Sequence, residues 1–475
     1  MGRATTSTEP QSEPVVPWTR RLSRRLTRTY RVPESTAGGG GGGPDLPLDL
    51  YDVLDDPAHP AFADLGRLLW ALVATQWSWI DRRVESASLT GERSFRRRMS
   101  IDCRVPPAVV ELAAELGFDR LLVPLRFVTK HPLVAFDLRL GDATVPLLTR
   151  RQSAQVAEAV LRAAVEPLVG ELTPEIGAAI ETVASDNEEG GDVAIELLAL
   201  TEAARTGEDA TPAQLARWAL TTFDTNYLML ADVALADVEQ RAIFKVTQEV
   251  GPTLHGTHEL SVLSSVAWQP APFILDTPTV TATSSYHFQF DAPPGLVVSG
   301  GELFGAVQGD RRRHSFGTSA SQGSVLGMHA SITEVPDVDG YYAEVLVHPS
   351  PDGLLRSSAV SSCFSTLLLT LGLVFASSID STRADASAGL LLVLPGIVST
   401  FLARPGEHYW VSRLLRGVRV LTLASAVTLY TAAAALVTGL ASSANRWMWL
   451  AFTVASALPS AGLLVAIRRC RSVWT

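Results

Sequence analysis

The sequence predicts an α+β soluble region followed by an all-α membrane bundle of four transmembrane helices. Three observations carry that expectation. Four uncharged apolar stretches follow one another after residue 356. Arginines gather at alternate joins between those stretches. Ahead of them, hydrophobic spacing switches between helix-like and strand-like periods, as in a folded α+β chain.

At 475 residues the chain has room for several domains. It is 47% hydrophobic and 19% charged. That charged share is below the roughly 25% of ordinary globular proteins, so apolar residues are concentrated somewhere. The net charge of -10 is uneven, with acidic residues in the middle and arginines towards both ends. Lys130 and Lys245 are the lysines, and every other basic side chain besides histidine is arginine. This bias fits a GC-rich bacterial genome. Cys103, Cys363 and Cys470 are far apart and have neither metal-ligand spacing nor the density of a disulfide framework, so a reducing compartment is expected. Residues 1–45 hold no apolar core of about 7–15 residues, and no secretory leader is expected.

Residues 1–44 read as a disordered tail ending in the glycine run 38–43, a flexible linker. Within it Trp18, Leu22, Leu26 and Tyr30 recur every four residues, between Arg20, Arg21, Arg24, Arg25, Arg28 and Arg31. As a helix this segment is basic and amphipathic, suited to anionic lipid headgroups. Nucleic acid is not expected as a partner, since it would leave the apolar ridge idle.

Residues 45–170 read as an α+β domain. A strongly apolar helix is expected over 65–80. Residues 95–105 alternate, with Met99, Ile101, Cys103 and Val105 on one face and Arg98, Ser100, Asp102 and Arg104 on the other, which is the pattern of a half-buried strand. Pro106-Pro107 starts a helix to about residue 116. Three apolar runs, 121–127, 133–140 and 143–148, suggest a meander, closed by a helix over 153–168. Residues 171–250 read as a helical connector interrupted by an acidic turn at 186–192 that lacks the ligand pattern of a calcium loop. Residues 255–350 read as a β-rich domain, a sandwich, with strands at 273–275, 279–290, 295–298, 326–333 and 341–347.

The membrane region occupies 357–467. Its uncharged stretches, 357–379, 386–403, 420–445 and 447–467, are each roughly 18–26 residues long, enough for a hydrocarbon core of about 30 Å. Arg356 precedes the first. The second join carries Arg404, Arg413, Arg416 and Arg419, and the tail 468–475 carries Arg468, Arg469 and Arg471. The other joins are poor in arginine. The positive-inside rule then places both termini in the cytosol of a multi-pass protein of the cell membrane. No ionisable residue lies within a span, which argues against proton relays. Ser361, Ser362, Ser365, Thr366, Thr370, Ser425 and Thr428 suit close helix packing or self-association into a homo-oligomer.

Chemistry-bearing motifs are sparse. His255 and His258, in His255-Gly256-Thr257-His258-Glu259, match neither zinc-protease order. His287, His329 and His348 fall on or beside expected strands. The basic turn at 310–314 is a weak anion candidate. No phosphate loop, nucleophile elbow or kinase set is present, and no cofactor or resident metal is expected. The balance points to a cytosolic binding or sensing region coupled to a four-helix membrane unit. Two alternatives are an oligomeric channel and a membrane-anchored enzyme. A β-rich domain before four spans resembles the architecture of pentameric ligand-gated channels. However, the arginines put this one inside the cell, and no Cys-loop-like pair exists.

The tail yields a test. A peptide of residues 18–31 should partition onto anionic vesicles and detach in 1 M salt, where screening shrinks the Debye length to about 3 Å. Binding to neutral vesicles of the same strength would contradict an electrostatic role.

Overall fold

The computed structural model describes residues 48–90, 95–130, 134–170, 172–185, 211–250, 261–306, 313–331, 333, 335, 340–375, 408–438 and 446–472. The basic tail segment, the acidic turn at 186–192, His255, His258 and the apolar stretch 386–403 lie outside the described residues.

Helices α1 (Leu50–Asp55) and α2 (Pro60–Ala74) come first. Pro60 occupies the first turn of α2, and His59 caps it by accepting the Ala61 amide. The apolar helix expected to run to residue 80 ends earlier. After one further turn, Gln76–Trp79, the chain extends into β1 (Ile80–Leu89), a strand the sequence did not suggest. Then come β2 (Phe95–Cys103), α3 (Pro107–Glu115), β3 (Arg120–Thr129), β4 (Val134–Leu140), β5 (Ala143–Thr144), α4 (Arg150–Val169), α5 (Pro174–Ala184) and α6 (Thr211–Thr225). A reciprocal capping box between Thr149 and Gln152 starts α4. The expected helical connector holds only as far as α6. Residues beyond it form β6 (Asn226–Ala234), a continuous buried run, and β7 (Ala242–Val250), whose apolar side chains alternate. The remaining strands are β8 (Ala271–Asp276), β9 (Ser285–Asp291), β10 (Leu296–Ala306), β11 (Arg313–Phe316), β12 (Thr318–Gln322), β13 (Val325–Ser331) and β14 (Gly340–Pro349).

An eight-stranded sheet has the order β12-β13-β9-β1-β2-β7-β4-β5. It therefore joins strands from the expected α+β and β-rich segments. β1 lies at the join, antiparallel to β2 and parallel to β9. The expected meander does not form: β3 leaves to pair with β6 in a two-stranded ribbon, while β4 pairs with β5 and β7. A four-stranded sheet, β11-β10-β14-β8, completes the soluble region.

Two different layers cover one face of the large sheet. Met99, Ile101, Leu138, Phe244 and Val246 pack with the helices and the β3–β6 ribbon. Phe288, Phe290, Leu326 and Met328 pack with Phe273, Val298, Leu303 and Val345 of the four-stranded sheet. The expected sandwich is thus present, but one of its two sheets is a wing of the larger sheet. Gly301 is tightly enclosed: a Cβ there would sit 2.6 Å from Leu326 Cδ2 of the facing sheet and 2.4 Å from the Glu344 carbonyl oxygen of the neighbouring strand β14.

Helix α7 (Leu354–Val374) follows β14, and α8 (Tyr409–Leu414), α9 (Arg416–Val437) and α10 (Arg446–Ser472) end the described chain. Helices α7, α9 and α10 are long and apolar enough to cross a membrane, three such helices among the described residues. Their outward faces are apolar, with Phe364, Leu371, Val427, Leu458 and Leu464 exposed. Their shared interior is small and polar. Ser362 Oγ lies 2.6 Å from Ser425 Oγ and 2.8 Å from Ser460 Oγ, and Thr366 Oγ1 lies 2.8 Å from Ser460 Oγ. Apolar outside and small-polar inside is the arrangement that lipid favours, because hydrocarbon supplies no hydrogen bonds and small residues let helices approach. Thr428, by contrast, bonds back to the Ala424 carbonyl of its own helix.

Replacing Gly301 with valine should destabilise the protein by about 1–3 kcal/mol through overpacking against β14 and Leu326. Denaturant unfolding reads the effect. An unchanged midpoint would contradict the described packing around Gly301.

Candidate functional site

The place where the two covering layers meet is the polar part of the interior. On the inward face of β1 the side chains of Arg83, Glu85, Ala87 and Leu89 follow one another, and Arg83 and Glu85 are both 0% exposed. On β2 the matching face presents Phe95, Arg97, Met99 and Ile101. Tyr286 lies opposite Arg83 on β9, and Gln248 lies opposite Arg97 on β7. Arg126 comes from the ribbon, just after a bulge at Pro124 in β3. Proline cannot donate to the ladder, and a bulge re-aims the residues around it. Here the freed carbonyl of Leu125 accepts from Arg83 Nη2, at 2.5 Å.

Glu85 is fully engaged. Arg97 Nε donates to Oε1, and the Tyr286 hydroxyl donates to Oε2 at 2.9 Å. Arg97 also donates through Nη2 to the Asp276 carbonyl, and the Asp276 charge adds to its stabilisation. Arg83 and Arg126 are placed differently. Besides Leu125, Arg83 reaches only the Met99 sulfur, 4.0 Å away, and its Nε has no partner. Arg126 donates through Nε to the Phe127 carbonyl, at 3.3 Å. Burial lowers the pKa of both guanidiniums to about 10; Arg126 further opposes the charge on Arg83, and Arg97 opposes that on Arg126. Burial, reinforced by Glu85, pushes Tyr286 well above its ordinary value, so it stays a hydroxyl donor. Gln248 is buried beside Arg97, and its amide oxygen has no partner. The result is a buried, arginine-rich seam with one unused donor, Arg83 Nε, and one unused acceptor, Gln248 Oε1.

The histidines fall elsewhere. His287 and His329 meet on the opposite face of the large sheet, with ring centroids 4.3 Å apart and planes at 33°. Burial lowers the pKa of His287, as do Arg82 and His329. His348 lies on β14 in the other sheet, buried and apart from that pair. Among the described residues no group of three or more potential metal ligands comes together.

The arginines singled out around the membrane stretches sit at one end of the helices where they are described. Arg356 lies in the first turn of α7, 3.7 Å from Asp352. Arg413 stacks over the Trp410 ring, 5.6 Å from its centroid. Arg416 opens α9, and Arg419 donates to Ser412 Oγ at 2.8 Å. Arg469 donates to the Trp268 carbonyl at 3.0 Å, and Arg468 and Arg471 flank it at the end of α10. Arg404 lies outside the described residues.

Sequence reading missed the seam, although one signal was present. Arg97 falls in the same alternating register as Met99 and Ile101, and Arg126 interrupts an apolar run. A charge on the apolar face of a strand is the trace such a site leaves.

Glu85→Gln should cost about 3–5 kcal/mol in denaturant unfolding, because it strips the seam of its central carboxylate. Tyr286→Phe keeps the Arg97 pair and should cost only about 1 kcal/mol. Equal losses would contradict the assignment of Glu85 as the central counter-charge. No protein-family model matches the chain, and no curated protein matches it.

Proposed function

We propose that the chain is a multi-pass protein of the cell membrane, with a large cytosolic N-terminal region that binds or senses a ligand and is joined rigidly to a four-helix membrane unit. The single observation that carries this reading is a shared core. Phe273 of β8 packs edge-on against Trp410 of α8, with ring centroids 5.1 Å apart. Leu355, Val418, Leu463 and Ala466 of the long helices belong to the same buried cluster as the sandwich. Trp268, between sheet and helices, donates its indole N–H to the Gly462 carbonyl at 2.9 Å. A ligand-driven change in the sheets would therefore reach the helix ends without a flexible joint.

Helix direction supports the four-span count. The start of α7, the start of α9 and the end of α10 all pack with the sheets, whereas Leu369, Leu436 and Trp449 cluster at the far end. That α7 leaves the sheet side and α8 begins beside Phe273 favours a return crossing in between. The uncharged stretch 386–403 is the segment suited to that crossing. The described arginines from Arg356 to Arg471 then share the sheet side, and Arg446 marks the other. The positive-inside rule makes the sheet side cytosolic, where the basic segment 18–31 would meet the anionic leaflet.

Reporter fusions check the topology. Fusions at Gly2, Ser412 and the C-terminus should report the cytosol, and fusions at Ser381 and Ser443 the opposite side. Ser381 and Ser412 on one side of the membrane would contradict the fourth crossing.

A further inference from the structure

We infer that the seam between the helical layer and the sandwich is a binding site for a compact, water-soluble oxyanion, a phosphate or carboxylate group held by Arg83 and Arg126. The inference starts from a charge imbalance. Arg83, Arg97 and Arg126 all lie in the field of the Glu85 carboxylate, and both Glu85 oxygens are already taken by Arg97 and Tyr286. Arg83 and Arg126 are left with backbone carbonyls and a thioether. They are 0% and 6% exposed, so water does not screen them as it would at a surface.

A buried arginine retained for structure alone has its donors filled, because an unpaired buried charge is among the most unfavourable groups in an interior. Arg83 Nε, an N–H donor, has no partner. Guanidinium groups present planar forks that match the two oxygens of a carboxylate or phosphate. An oxyanion between Arg83 and Arg126 would offset their mutual repulsion and fill the empty Arg83 Nε donor. Arg97, whose side chain is 17% exposed, marks where the seam reaches solvent. The ligand is compact because Arg83 is sealed between β1 and the β3 bulge. The site also lies where the helical layer meets the layer that holds the membrane helices, so filling it bears on both.

The test is thermal unfolding of the full-length protein in detergent, titrated separately with inorganic phosphate, succinate and short-chain phosphatidic acid, against potassium chloride at equal ionic strength. Phosphate or succinate should raise the melting temperature saturably above the chloride control. Arg126→Met should abolish that rise, or weaken the apparent affinity roughly tenfold or more. Without added anion it should melt at or above the wild-type temperature, because it removes an uncompensated charge. Arg126→Lys keeps the charge without the fork, so it should retain a weaker response; it serves as the comparison if the methionine variant fails to fold. The inference is overturned if neither phosphate nor succinate exceeds the chloride control. It is likewise overturned if the methionine variant responds like wild type, or if phosphatidic acid alone gives the shift.

Discussion

Everything in the soluble region depends on the pairing of β1 with both β2 and β9. Residues near 85 and near 288 meet side by side, although about two hundred residues separate them in the chain. That parallel pairing makes one sheet of strands that would otherwise form two. It also creates a problem. One continuous face has to be covered by two unlike layers, a helical layer with its ribbon and a four-stranded sheet. Where the two layers meet, the side chains are Arg83, Glu85, Arg97, Arg126 and Tyr286. Buried polar groups of this kind persist only when partnered, and here the partnering is incomplete.

The core under that face also reaches the long apolar helices. The sandwich core does not stop at its sheets but continues into the ends of α7, α9 and α10 through Phe273, Trp410, Trp268 and Gly462. Further along the helices the interior changes character. Near the sheets, large apolar residues are inside. In the middle, Ser362, Thr366, Ser425, Ser456 and Ser460 are inside, and at the far end Leu369, Leu429, Leu436 and Trp449 are. Hydroxyls bonded inside and apolar residues outside suit hydrocarbon, which supplies no hydrogen bonds.

Much of this was legible in the sequence. The uncharged stretches, the strand at 95–103, the helix after Pro106-Pro107 and most of the late strands follow from period and punctuation alone. β1 was not legible, for a physical reason. Its run Ile80-Asp81-Arg82-Arg83-Val84-Glu85 puts charges on both faces, so it lacks the alternation of a half-buried strand. The meander failed because adjacency along the chain favours pairing neighbours, whereas β3 satisfies its ladder with β6, about a hundred residues later. The candidate site was hidden for the same reason as β1: its residues come from four strands and converge only once the distant pairing is made. The histidine pair shows the converse. Its members were noted, but their meeting depended on the register of β9 and β13, which sequence does not supply.

Sheets and long apolar helices share one core. A double-mutant cycle on Phe273→Ala and Trp410→Ala, read by denaturant unfolding of the full-length protein, tests it most directly. A shared core predicts a coupling energy of about 0.5–1.5 kcal/mol between the two rings. Strict additivity would contradict it, because two sites that do not touch have nothing to lose together.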